Sequence, residues 1–392
     1  MANVSSSNGL EKYPKLRFKG FSEPWKVGTA EELFDNVVDK NHPEETVLTI
    51  IQGQGTLPRE AAGRNIHYDT ESLSGYKRVM KNDYVIHLRS FEGGLEIANS
   101  QGIVSPAYTI LRSKQPCAPL FFDSYFHTDE FINHVLYKAV EGIRDGRQIS
   151  YEAFKWLSIP YCSLEEQTQI AAFIEKINVR IEKQRSLVEN LKKYKRGLLS
   201  AVFSRELSFS DGQWISKPFS EIAHLGKKRY TPSPNESKPC IELEHIEQLT
   251  GRLLGSVNSS EQNSQKSAFE KGDVLFGKLR PYLKKYALPD FEGVCSTEIW
   301  VFKPTECITS EFLYYLVQSE GFINAANISS GTKMPRAEWS KVASTVFFLP
   351  NIEDQTKIVN LLMKIDKKIN TESMLLEKLE HFKKASLQKL FI

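Results

Sequence analysis

Two stretches decide the fold. Residues 163–204 read SLEEQTQIAAFIEKINVRIEKQRSLVENLKKYKRGLLSAVFS, and residues 351–392 read NIEDQTKIVNLLMKIDKKINTESMLLEKLEHFKKASLQKLFI. They align without a gap over 42 residues at an offset of 188, with 13 identical positions. Among these are Gln167/Gln355, Thr168/Thr356, Ile177/Ile365, Ile181/Ile369, Leu191/Leu379 and Phe203/Phe391. A chain that repeats itself at this length is built from two copies of one unit.

The period within each copy is helical. Ile170, Ile174, Ile177, Ile181, Val188, Leu191, Leu198 and Val202 recur at 3–4 spacing in the first. Ile358, Leu362, Ile365, Ile369, Leu376, Leu379 and Leu390 do so in the second. This is an a/d seam. Leu187, Tyr194, Leu199 and Phe203, with Leu375, Phe382, Leu387 and Phe391, widen it into a face that suits more than two helices. Ser163 with Glu166, and Asn351 with Asp354 after Pro350, predict capped starts. Each helix could run ~38 residues, about 57 Å. Polar residues interrupt the seam at matching places, Gln184/Glu372 and Lys195/Lys383. They are either solvated positions or polar seam residues that fix register at a cost in stability.

The repeat continues outward more weakly. Phe21-Ser22-Glu23-Pro24-Trp25 parallels Phe209-Ser210-Asp211-Gly212-Gln213-Trp214, and Lys81-Asn82-Asp83 parallels Lys271-Gly272-Asp273. Leu88-Arg89 matches Leu279-Arg280, and Gly102-Ile103-Val104-Ser105 matches Gly293-Val294-Cys295-Ser296. The predicted organisation is a first globular domain over 1–162, a long helix over 163–204, a second globular domain over 205–350 and a second long helix over 351–392. Short β-rich runs such as Thr46–Ile51, Tyr84–Leu88, Tyr108–Leu111, Val274–Phe276 and Trp300–Phe302 alternate with turns. Helical patterns stand near Thr128–Val140 and Ser310–Gln318. The predicted class is α+β: two similar mixed domains with mainly antiparallel sheets, joined by two long helices in an antiparallel coiled coil.

Composition bounds the function loosely. The 392 residues are 41% hydrophobic and 25% charged, the balance of a globular chain. A formal charge of +3 gives no strong global field. No apolar stretch has signal-peptide character or approaches the ~20 residues of a membrane span, so a soluble cytoplasmic protein is expected. Five cysteines with no CxxC pair argue for reduced thiols and against a zinc cage.

Charge is nonetheless local. Residues 1–162 hold 18 basic and 20 acidic groups, and residues 205–350 hold 17 of each. Within these neutral totals lie Lys227-Lys228-Arg229-Tyr230 and Lys278-Leu279-Arg280-Pro281-Tyr282-Leu283-Lys284-Lys285-Tyr286, with Lys333 and Arg336 farther on. The first domain offers Arg59, Arg64, Lys77, Arg78, Arg89, Arg144, Arg147 and Gln148 in or near turns. Cations suit phosphate, and Arg or Gln can read base edges bidentately. The plain alternative for each cluster is a solvated basic surface.

Signatures of catalysis are missing. Gly53-Gln54-Gly55-Thr56-Leu57-Pro58 begins like a dinucleotide loop, but Pro58 stands where the third glycine belongs. There is no P-loop, no adenine-methyltransferase tetrapeptide, no GxSxG and no HExxH. Glu236-Ser237-Lys238 has a nuclease-like spacing without a convincing upstream acid.

With its doubled unit, its opening Pro14-Lys15-Leu16-Arg17-Phe18 and Trp25, and its helix starts Leu164–Ile170 and Ile352–Ile358, the chain resembles the specificity subunits of type I restriction-modification systems. Lys271–Pro281 and Gly293–Glu298 are similar to motifs of that family's target recognition domains. The first domain departs from them, with Pro106-Ala107 in place of Thr297-Glu298 and no Arg-Pro after Leu88. The resemblance implies a non-catalytic DNA-reading subunit, with one half of a bipartite asymmetric site per globular domain. The helices would set the spacer and dock two methyltransferase subunits, through a face including Gln167, Ile170, Ile174, Ile177, Ile181, Leu191, Phe203, Gln355, Ile358, Leu362, Ile365, Ile369, Leu379 and Phe391. It further implies motor-nuclease partners, and S-adenosylmethionine, ATP and Mg²⁺ held by those partners, with none bound by this chain. Two other readings remain open: a coiled-coil protein-interaction scaffold, and a nuclease or methyltransferase with an unrecognised active site.

Overall fold

The structure is a computed structural model that describes residues 13–62, 70–142, 147–207, 213–328 and 334–391. The two long helices span Leu164–Phe203 and Ile352–Leu390. Contacts divide the chain into a discontinuous unit, 1–185 with 374–392, and a contiguous unit, 186–373. Each unit therefore holds one globular domain, part of the first helix and part of the second.

Within the first unit the two helical segments run antiparallel. Arg185 Nη2 meets Glu380 Oε1 at 2.8 Å, while Ile170 and Ile174 share a core with Leu390 and Phe391. Within the second unit Lys195 Nζ meets Asp366 Oδ1 at 2.7 Å, and Leu199 and Val202 share a core with Ile358, Val359 and Leu362. The pairing is the same in both.

The globular parts repeat strand for strand. In the first unit Lys26–Thr29 pairs Ser158–Tyr161, and in the second Ile215–Pro218 pairs Val346–Leu349, both antiparallel. Each unit has a four-stranded antiparallel sheet of one order. In the first it runs Phe34–Val37, Thr109–Ser113, Tyr84–Ile86, Glu96–Ile97, and in the second Ala223–Leu225, Ile299–Pro304, Val274–Gly277, Tyr286–Ala287. The turn leading into the third strand is built alike. Asp83 accepts from Met80 N–H at 2.8 Å, Asp273 accepts from Glu270 N–H at 2.8 Å, and Asn82 and Gly272 take the left-handed conformation between them. In both units the acid is almost fully buried beneath a cation, Arg112 or Lys303. Beside this sheet the second unit has a five-stranded sheet with one parallel pair, Pro239–Ile241 on Gly293–Ser296. The first unit has its counterpart in smaller pieces, a hairpin of Leu48–Ile51 with Gly55–Pro58 and an antiparallel pair of Lys77–Val79 with Gly102–Val104, joined by a parallel bridge of Val47 to Ile103.

Two expectations are refined. The stretch near Thr128–Val140 is helical, as a π-helical turn, Phe131–Val135, followed by a 3₁₀ turn, Leu136–Ala139. Phe131 and Leu136 are both fully buried, and the wide turn, with Leu136 N–H donating to Phe131 C=O, brings residues five apart onto one face. The capping box at Ser163 is half formed. Ser163 Oγ accepts from Glu166 N–H at 3.3 Å, but the Glu166 carboxylate is taken by Arg17, at 2.8 and 2.9 Å.

The polar seam positions are not solvated ones. Gln184, Lys195 and Glu372 are buried, and Lys383 is half-buried. Lys195 pairs Asp366, whose other oxygen accepts from Tyr315 O–H at 2.8 Å.

Candidate nucleic-acid interface

The starts of both helices are fixed to their globular domains by the repeated glutamine. Gln167 Oε1 accepts from Ala118 N–H at 3.2 Å, and its Nε2 donates to Cys162 C=O at 2.9 Å. Gln355 Oε1 accepts from Thr309 N–H at 3.0 Å, and its Nε2 donates to Pro350 C=O at 3.0 Å and Cys307 C=O at 2.9 Å. The helix ends are matched too. Phe391 packs on Phe121 with ring centroids 5.2 Å apart, and Phe203 packs on Phe312 at 5.6 Å. Trp25 closes the first of these contacts at 6.0 Å from Phe391. Leu16 N–H donates to Lys389 C=O at 2.8 Å, as Leu207 N–H donates to Ala201 C=O at 3.0 Å. Whatever each domain presents is thus held on its helices by the same joints.

In the second unit Lys278, Arg280, Lys284 and Arg336 gather at the edge formed by the end of the inner strand Val274–Gly277 of the four-stranded sheet, while Lys227, Lys228 and Arg229 lie at the five-stranded sheet. Lys278 and Arg280 follow the strand Val274–Gly277, and a 3₁₀ turn, Pro281–Leu283, separates Arg280 from Lys284. Arg280 and Lys284 both adopt left-handed backbone, with φ of 52° and 50°. Non-glycine residues held there store strain that the surrounding structure must enforce. The enforcement is visible: Arg280 N–H donates to Pro335 C=O at 2.8 Å, Ala337 N–H to Lys278 C=O at 2.8 Å, and Leu249 N–H to Lys284 C=O at 3.1 Å. Leu249 is itself left-handed, with φ 66°. Arg336 joins this edge, bound to Glu298 at 3.1 Å. Tyr282 stands 53% exposed among these cations. Lys285 is spent internally, its Nζ donating to Leu243 C=O at 2.6 Å. Lys227 and Lys228 are exposed, Arg229 donates to Ser267 Oγ at 2.8 Å, and Tyr230 donates to Glu236 C=O at 3.2 Å. Lys333 lies outside the described residues.

The first unit is less open. Lys77 Nζ donates to Tyr108 C=O at 2.6 Å, and burial lowers its pKa. Arg78 pairs Glu45 at 3.1 Å, and Arg59 is half-buried at the end of its hairpin. Arg89 is exposed and bidentate on Glu92, at 2.9 and 3.0 Å. Arg147 lies over the Phe91 ring at 4.4 Å, and Gln148 is exposed in a short strand opposite Glu141. Arg64 and Arg144 lie outside the described residues. Arg89, Arg147 and Gln148 therefore meet around the short helix Ser90–Gly93, while Lys77 and Arg78 serve the fold.

The seam residues Ile170, Ile174, Ile177, Ile181, Ile358, Leu362, Ile365, Ile369 and Phe391 are buried, and Leu191, Leu379 and Phe203 are partly so. Farther round, Val179, Leu187 and Tyr194 on the first helix are exposed, as are Met363, Met374 and Phe382 on the second. The glutamine joints were visible in the sequence as identities, but their partners lie 49 and 46 residues away.

Among the described residues no cluster of three or more His, Cys, Asp or Glu could hold a metal. Glu236 of the nuclease-like spacing pairs Lys238 at 2.8 Å. All five cysteines are free thiols. No described helix is long and apolar enough to cross a membrane.

Comparison with known proteins agrees with this architecture. A family model described as a type I restriction modification DNA specificity domain matches residues 212–381. The EcoDI specificity subunit of Escherichia coli is 22% identical over 239 residues, 52% of this chain and 53% of that protein. The HindI specificity subunit of Haemophilus influenzae is 30% identical over 135 residues, 32% of this chain and 29% of that protein. The chain thus spans about half the length of the first of these relatives and less of the second. The crystal structure of a type I restriction-modification S subunit from M. genitalium superposes with a TM-score of 0.59 at 16% identity, covering 97% of this chain and 99% of that one. Domain match and relatives point one way: residues 212–381 match a type I DNA specificity domain, and the chain is similar to type I restriction-modification specificity subunits.

Proposed function

We propose that this chain is the DNA-sequence-recognition subunit of a type I restriction-modification complex, itself without catalytic activity. Each globular domain reads one half of a bipartite asymmetric site, and the two helices set the spacer. The observation that carries this reading is the second unit's edge at Lys278, Arg280, Tyr282 and Arg336, where Arg280 is held on left-handed backbone beside an exposed aromatic ring. A strip of that kind suits phosphate contact with base stacking or edge readout. A helix of 40 residues is about 60 Å long. That exceeds one DNA turn of ~34 Å, so two half-sites on one face of a duplex are within its reach.

The exposed Val179, Leu187, Tyr194, Met363, Met374 and Phe382 support docking of two methyltransferase subunits along the helices. Those subunits would hold S-adenosylmethionine, and restriction-translocase subunits would hold ATP and Mg²⁺. The complex is cytoplasmic, where DNA and reduced thiols coexist. The test is methylome sequencing of DNA modified by this chain with its methyltransferase partner. A two-part asymmetric motif is expected. Arg280→Ala should weaken binding across sequences and lower the salt dependence by about one phosphate contact. Methylation without sequence preference, or none, would sink the reading.

A further inference from the structure

The Gly53-Gln54-Gly55 turn has no place in the reading above, yet Glu96 and Asn99 hold it from behind. It closes the hairpin between Leu48–Ile51 and Gly55–Pro58. Gly53 and Gly55 both take positive φ, 74° and 77°, and a Cβ on Gly55 would come within 2.5 Å of Ile97 C=O. Behind the turn stands Glu96, only 1% exposed. Its Oε1 accepts from Gly53 N–H at 2.6 Å and its Oε2 from Gly55 N–H at 2.9 Å. One carboxylate thus grips the backbone on both sides of Gln54.

Burying a carboxylate is costly unless it is paired and hydrogen-bonded. Here the partner is His127, whose Nε2 lies 3.1 Å from Glu96 Oε1 while its Nδ1 lies 2.7 Å from Asp123 C=O. Both ring nitrogens face acceptors, an arrangement that suits the imidazolium. Asn99 adds a third hold, its Nδ2 donating to Gln54 C=O at 2.7 Å and Thr56 C=O at 3.0 Å. What all this rigidity presents is the exposed Gln54 side chain, which bonds to no described residue. The preceding Gln52 lies against Gly93, at the end of the short helix where Arg89 and Arg147 converge.

The second unit treats the corresponding connection alike but with other chemistry. Between Pro239–Ile241 and Val257–Asn258 the loop is longer, and a bridge of Ile246 to Leu253 closes its tip. Tyr286 O–H donates to Leu249 C=O at 2.6 Å, and Tyr314 O–H to Thr250 C=O at 3.4 Å. Gln318 Nε2 donates to Tyr314 C=O, one helical turn back, as His127 does to Asp123. The loop is pinned from behind in both halves, while the residue offered at the tip differs: a glutamine in one, a leucine in the other.

We infer that the Gly53-Gln54-Gly55 turn is a base-reading element of the first domain, with Gln54 the specificity-determining residue and Glu96 and His127 its positioning residues. This rests on the DNA-recognition reading. Glutamine reads adenine bidentately at N6 and N7, so the contacted pair should be A·T.

The experiment uses the full chain with its methyltransferase partner and reads every modified site. Gln54→Ala should relax one A·T position of the first half-site by about 10- to 100-fold, leaving the second half-site and the spacer unchanged. Gln54→Glu should shift that position toward cytosine, whose N4 donates to a carboxylate. Glu96→Gln, which swaps one acceptor for a donor facing a turn amide, should relax the same position, and combining it with Gln54→Ala should add little. Full discrimination retained in Gln54→Ala would overturn the inference. So would equal loss at both half-sites with DNA affinity intact, because the turn would then contact the methyltransferase. If the unaltered chain yields no two-part motif, the function proposal fails first and this inference with it.

Discussion

Replacing Gln355 by leucine tests how the domains are joined to the helices. Gln355 is fully buried, accepts from Thr309 N–H and donates to Cys307 C=O and Pro350 C=O, all at 2.9–3.0 Å. Leucine has nearly the same volume and none of these bonds. The orphaned amide costs about 1–3 kcal/mol, and each carbonyl, which keeps a second lone pair, costs about 0.5–1.5 kcal/mol. Burying the leucine methyls returns about 1 kcal/mol. The net loss should be about 3 kcal/mol. Gln167→Leu orphans one amide, Ala118, and one carbonyl, Cys162, so its loss should be about 2 kcal/mol. Thr356→Ala, at an exposed neighbour, should stay within about 0.5 kcal/mol. Urea unfolding followed by Trp300 and Trp339 in the second unit measures the first change. Hydrogen exchange at the Thr309 amide gives a local readout of the same joint. A loss below about 1 kcal/mol for Gln355→Leu, or a larger loss for Gln167→Leu, would refute the reasoning.

Lys195→Met strands the Asp366 carboxylate, about a quarter exposed, with Tyr315 O–H still donating to it, and should cost about 2 kcal/mol in urea unfolding. Adding Asp366→Asn should recover part of that, and a double variant no better than the single would count against the pair. The first unit should weaken with rising pH. Burial alone would lower His127, but Glu96 and Asp123 raise it from 6.5 to about 9, so its stabilisation is complete below about pH 6.5 and lost as pH rises through about 9. Burial pushes Asp123 from 3.8 to about 6 against the pull of His127 and Lys383, so its ionisation over that lower window also removes stability. His87, which burial holds down, also faces this cluster. Thermal unfolding of His127→Gln should lack the upper step, and an unchanged pH profile would exclude His127 as its source. Iodoacetamide should label Cys117 and Cys307, both partly exposed, before the buried Cys162, Cys240 and Cys295. Burial, the largest effect on Cys240, raises its thiol to about 11. Mass mapping that found Cys295 labelled first would contradict the packing.

The long helices were legible because their signal is local and repeated: a 3–4 spacing carried over some forty residues, twice. The division into doubled modules followed from the same alignment. Other features depend on distant partners. Glu166 reads as a capping residue until Arg17, 149 positions earlier, claims it. The stretch Thr128–Val140 has helical composition, but burial of residues five apart selects a wider turn. Lys77, Arg78 and Lys285 look like surface cations in sequence, yet a carbonyl or a carboxylate brought in by the sheet takes each. The Gly53-Gln54-Gly55 turn resembles a dinucleotide loop in sequence alone, because its support, Glu96 and His127, comes from two other elements.

The division of the chain into a contiguous unit and a discontinuous one bears on how it is made. Residues 186–373 can complete their unit as soon as they leave the ribosome. The other unit cannot, because Trp25, Phe121 and Tyr125 pack against Phe391. The intervening 188 residues take about 10–40 s to synthesise at ~5–20 residues per second. For that interval a cluster of large aromatic rings waits without its cover. The domain that begins first is therefore finished last, and the nascent first half is where chaperone binding and aggregation should concentrate.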